Sequence, residues 1–120
     1  MSALIDGLFA LSPKVRYVAI LRGKELTLRA RAGIAGASAA ETDRYEELLV
    51  NPGVLTLLRR RGELDCGGLD HVWIRYGNFW TGLFPTEDGH VNVGLEPDAV
   101  PTEHVPAIRK VLAGTGRAGR

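Results

Sequence analysis

Three histidines, one cysteine and fourteen acidic residues are the side chains with which this 120-residue chain could do chemistry. Their spacing argues against most of it. His71, His90 and His104 stand far apart with no i, i+4 pair, so together with Cys66 and Asp88 they make no metal-ligand pattern. Cys66 lies between Asp65 and Gly67, where the adjacent negative charge disfavours a reactive thiolate. A single cysteine also excludes an internal disulfide and a CxxC motif. Glu46, Glu47, Glu87 and Asp88 are expected on helix or turn surfaces and form no recognisable acid–base pair. The run GIAGAS, Gly33 to Ser38, offers free backbone N–H groups to an anion, but it lacks the Lys-Ser/Thr ending of a P-loop. A flexible loop entering a helix is the expectation there. No catalytic residue, metal site or cofactor is assigned, and the chain reads as a non-enzyme.

Composition narrows the partners. A hydrophobic fraction of 45%, a charged fraction of 24% and a net charge of +1 suit a soluble globular domain. They favour neither nucleic acid nor an anionic membrane. The one dense basic run, RRRG at Arg59 to Gly62, suits the end of a helix, where cations complement the negative dipole. The opening MSALIDGLFALSP carries Asp6 and no basic flank, so no signal peptide is expected, and a reducing cytoplasm is the expected location.

Hydrophobic periodicity then supplies the elements. Leu4, Ile5, Leu8 and Leu11 make one helical stripe over Ser2 to Leu11. Val15 to Leu21 is apolar on both faces, as in a central strand, whereas Glu25 to Arg31 alternates, with a hairpin turn at Gly23 between them. Ser38 and Glu41 fit a capping box for a helix carrying Tyr45, Leu48, Leu49 and Leu55. Pro52 should divide that helix, with Asn51 as a new N-cap. Strands Leu69 to Tyr76 and Phe79 to Phe84 are expected around a primed turn at Gly77-Asn78. A last strand holds Val91, Val93 and Leu95 on one face. A final helix follows from Pro101, capped by Thr102, with Val105, Ile108, Val111 and Leu112 inward. Residues 1–113 make one domain, and 114–120, without an apolar anchor, a flexible tail.

The segment HVWIRYGNFWTGLF, His71 to Phe84, holds both tryptophans. Its rings serve as core, as pocket or as partner surface. Gly82 and Gly94, interior to neighbouring strands, suggest a small apolar-ligand pocket walled by Trp80 or Phe84, or else a close approach of packed side chains. If the strand bearing Val72, Trp73 and Ile74 is a free edge, it invites pairing with another chain, with Trp73 as an anchor.

The order helix, two strands, helix, three strands, helix is that of an α+β sandwich. This order, the hairpin VRYVAILRGKELTLRA, the meander VWIRYGNFWTGLFPTEDGHVNVGLEP and the terminal helix resemble the roadblock (dynein light chain) family of profilin-like domains. The resemblance implies a five-stranded antiparallel sheet in the order 2-1-5-4-3. The crossing helix would lie on one face and the terminal helices on the other. It also implies a non-enzymatic homodimeric adaptor that acts with a small Ras-like GTPase or a signalling partner. The dimer would pair the third strands, through Leu69, Val72, Trp73, Ile74 and Arg75, and stack the second helices, through Tyr45 and Leu49. The alternative is a sensory domain whose pocket uses Trp80, Gly82, Phe84 and Gly94. The expected break at Asn51-Pro52 departs from the long second helix of the family.

Overall fold

The computed structural model describes residues 2–118. In chain order it runs α1 (Ser2–Phe9), β1 (Val15–Arg22), β2 (Glu25–Ala30), α2 (Ala40–Tyr45), a π-helical stretch (Glu46–Val50), α3 (Asn51–Asp65), β3 (Val72–Arg75), β4 (Trp80–Pro85), β5 (Gly89–Leu95) and α4 (Pro101–Ala118). The strands form one antiparallel sheet in the order β2-β1-β5-β4-β3, which is the order the resemblance implies. Among the described residues no helix is long and apolar enough to cross a membrane.

The sheet has two differently built faces. On the first, α1 and α4 close over Val15, Val18, Ile20, Phe84, Val91, Val93 and Leu95, with Leu4, Ile5, Leu8 and Ile108 buried from the helices. This apolar layer is the main hydrophobic core, and burial of such side chains contributes about 1.5–3 kcal/mol each. The second face lies under the crossing helix. There Glu47, Asn51 and Leu55 point inward and are buried.

Several local expectations are overturned. Ser38 does not cap the crossing helix: α2 begins at Ala40, its N-cap Ala39 makes no side-chain cap bond, and the Ser38 hydroxyl goes to Asp43 instead. Asn51 is not a new N-cap either, because its φ of −65° and ψ of −43° are helical. The chain passes Pro52 without dividing. A proline cannot donate to the carbonyl four residues back and its ring crowds that turn. Here the turn just before it is widened, with the Asn51 N–H bonded to the Glu46 carbonyl five residues back. The helix ends at Asp65, where the Gly62 carbonyl accepts the N–H groups of both Cys66 and Gly68, with Gly67 at φ 83°.

The β3–β4 connection is not a two-residue primed turn. Neither Gly77 nor Asn78 has the positive φ that such turns require, and β3 is shortened to Val72–Arg75 with Tyr76 to Phe79 as the loop. Thr102 lies inside α4, which Pro101 opens at a position where its missing N–H costs nothing. The same helix runs past Gly114 to Ala118; residues 119 and 120 of the expected tail lie outside the described residues.

Candidate functional site

Two features of the crossing helix stand out, one on each side of it. Glu47, Asn51 and Leu55 recur every four residues and face the sheet. Two residues out of phase with them, Tyr45, Leu49 and Leu57 face outward, and Leu64 continues the stripe. Their exposures of 60%, 63%, 68% and 77% are far above what apolar side chains show in a core. The π-helical turn keeps both series in phase across Pro52, so one continuous helix carries a polar inner stripe and an apolar outer one.

The inner stripe makes the most unusual interaction of the fold. The Glu47 carboxylate has no exposed surface, yet it accepts four hydrogen bonds. Tyr17 Oη and Asn92 Nδ2 donate to Oε2 at 2.8 and 2.7 Å, and His90 Nε2 and Asn51 Nδ2 to Oε1 at 2.7 and 3.0 Å. The helix is thereby tied to β1 and β5 by charge-assisted bonds, which are the strong kind. Burial, with the negative charge of Glu47 next to it, pushes the Tyr17 hydroxyl far above the ordinary tyrosine range. Glu47 is thus not the surface residue its sequence context suggests. A signal for it existed in β5: if Val91, Val93 and Leu95 face one layer, His90, Asn92 and Gly94 face the other, and a polar strand face under a helix needs a polar partner.

The proposed aromatic pocket does not assemble. Its four residues divide between the layers, because Gly82 pairs with Val93 and Gly94 pairs with Thr81. Trp80, Gly82 and Phe84 face α1 and α4, whereas Gly94 faces the crossing helix. At Gly82 the Trp73 ring occupies the space that a Cβ would take. Trp73 also meets Phe84 edge-on at 5.9 Å between centroids, and His71 stacks on Phe84 at 5.3 Å. The Trp73 ring is therefore packed within its own chain.

The outer side of β3 pairs with no strand among the described residues. Val72 and Ile74, paired with Leu83 and Thr81, share the sheet face of the crossing helix and are half-buried. Leu69 is half-buried just before the strand and Arg75 is exposed. The Tyr76 hydroxyl, after β3, lies near the Glu46 carboxyl, so the free edge lies beside the first part of the helix. Burial and the neighbouring charges of Glu47 and Asp43 push the Glu46 carboxyl up to about 7.

Beside this network, over Gly94, lies a small cavity of about 30 Å3. Arg16, Thr81, Asn92 and Gly94 form its buried base, and Asp43, Glu46, Ile34 and Phe79 its half-buried walls.

No family model matches the chain, and no curated protein matches it. Solved structures do. A Roadblock/LC7 domain from Streptomyces avermitilis superimposes with a TM-score of 0.73 at 14% identity, covering 98% of this chain and 96% of that one. An MglB structure described as having a tetrameric arrangement gives 0.72 at 8% identity, over 97% and 87% of the two chains. The gliding protein MglB from Thermus thermophilus gives 0.68 at 9% identity, over 92% and 83%. At such identities the likeness is one of fold, and the fold of this chain is the roadblock fold.

Proposed function

We propose that this chain is a cytoplasmic, non-enzymatic homodimeric adaptor that binds a small Ras-like GTPase or a comparable signalling protein and biases its state or location. The observation that carries the reading is the outward stripe of Tyr45, Leu49, Leu57 and Leu64 beside the unpaired edge of β3. Contiguous exposed apolar surface of this kind marks an interaction site, and a free strand edge is a template for a further strand. Two copies related by a two-fold axis satisfy both at once, helix on helix and edge on edge. The resemblance to roadblock proteins supplies the class of partner, and the tetrameric arrangement of one MglB structure is in keeping with self-association.

Within the interface set, Tyr45, Leu49, Val72 and Ile74 are the contacts proposed, with Leu69 and Arg75 at the rim. Trp73, packed on Gly82, supports the strand from behind. The test is light scattering on the purified chain, followed by affinity capture with it in the presence of GDP or a non-hydrolysable GTP analogue. A dimer that retains a small GTPase under one nucleotide supports the reading; a monomer that retains none refutes it.

A further inference from the structure

The cavity over Gly94 contains an unmet hydrogen-bonding demand. Asn92 is 1% exposed and donates its Nδ2 to Glu47, but its Oδ1, buried in the same place, has no partner among the described residues. A buried acceptor left in this way is costly unless something donates to it. Asn92 lines the cavity, so a donor there could reach it.

The charges around the cavity say which kind of donor fits. Asp43 and Glu46 wall it from the helix, and Glu47 lies behind Asn92 and Tyr17. The one cation at the base, Arg16, is already engaged: its guanidinium donates to Glu96 Oε1 at 3.2 Å and to the carbonyls of Asn78 and Ala35, and lies over the Phe79 ring. Among the described residues the acidic wall is thus left without a counter-charge, although Asp43 accepts the Ser38 hydroxyl. Above the polar base, Ile34, Ala37 and Phe79 supply apolar surface.

We propose that this cavity binds a small primary ammonium ion, its N–H groups donating to Asn92 Oδ1 and the Glu46 carboxylate and its short alkyl stem lying against Ile34, Ala37 and Phe79. The size agrees: about 30 Å3 holds one or two water-sized centres, enough for an ammonium group with a carbon attached and too small for a quaternary ammonium ion. The Glu46 carboxyl is raised first by burial and then by the charges of Glu47 and Asp43, so this side of the cavity carries negative charge close to a desolvated acceptor. Facing it are Asp43 and Glu47 on its own helix, Tyr76 from the β3–β4 loop, and Arg16 and Tyr17 from β1.

The experiment is a titration of the isotope-labelled chain with methylammonium chloride, followed by amide NMR, beside sodium chloride and tetramethylammonium chloride at equal ionic strength. Saturable shifts at Gly94, Thr81 and Asn92 with methylammonium alone are expected. Binding should tighten as pH rises through about 7, where Glu46 loses its proton. Glu46→Gln should weaken binding about tenfold or more through loss of a charged acceptor. Ala37→Leu, at the exposed mouth, should block entry while leaving the fold intact. Shifts that grow linearly and match those from sodium chloride overturn the proposal, as does unchanged methylammonium binding in either folded variant.

Discussion

Substituting Glu47→Leu should come close to unfolding the protein, because of what it leaves behind rather than what it removes. Tyr17 Oη, Asn51 Nδ2, His90 Nε2 and Asn92 Nδ2 all donate to this one carboxylate. Each buried donor left without an acceptor costs about 1–3 kcal/mol. Four together amount to about 4–12 kcal/mol, set against a total stability of about 5–15 kcal/mol for an ordinary domain. Glu47→Gln should be much milder. Its amide oxygen still accepts two bonds, and its new N–H donors can be met by the Tyr17 oxygen and by the idle Asn92 Oδ1 after a flip of that amide. Loss of charge assistance then accounts for about 1–3 kcal/mol. Urea denaturation read by the fluorescence of Trp73 and Trp80, which lie in the opposite layer, reports global unfolding rather than a local change at the network. A Glu47→Leu variant as stable as the parent, or a Glu47→Gln variant as damaged as Glu47→Leu, would refute this account of the network.

Other outcomes follow from the same geometry. Gly82→Ala forces a methyl into the Trp73 ring and should cost about 1–3 kcal/mol by overpacking, with a change in tryptophan emission; no loss would mean that the ring is not seated there. Glu46 should make stability fall as pH rises. Its folded-state carboxyl, raised from 4.5 to about 7, holds a proton that the unfolded chain has already released, so stability declines between these values and is level above them. Melting temperatures across that range should show a smaller decline in Glu46→Gln, and an unchanged profile would exclude Glu46 as the source. Leu49→Asp, at a position 63% exposed in the single chain, should leave the monomer folded but shift a dimer towards monomer in light scattering, because it places an unpaired charge in an apolar contact. An unaltered dimer would move the interface off this stripe.

Short-range pattern carried much of the architecture. Period-two alternation in β5 and β4 sorts their side chains into two layers, and the apolar run of β1 marks it as a central strand, because a strand buried on both faces has no polar side to show. Turn and cap chemistry was less legible. Ser38, Asn51 and Thr102 have the residue types of N-caps, but the helix starts were decided by packing and by Pro101. Pro52 reads locally as a break, yet an inward series of Glu47, Asn51 and Leu55 holds the helix against the sheet and a widened turn accommodates the ring.

By itself the sequence determined the element order and the alternation of faces within each strand, since these depend on residues a few positions apart; the helical stripe it suggested through Tyr45, Leu49 and Leu55 is divided by the structure, which buries Leu55 and exposes the other two. Only the tertiary structure decided that Gly82 and Gly94 face opposite layers, because a one-residue difference in strand register moves a side chain to the other side. The burial of Glu47 belongs to the same class. Its partners Tyr17, His90 and Asn92 lie 30, 43 and 45 residues away, and a carboxylate can leave water only where the assembled sheet brings enough donors to replace it.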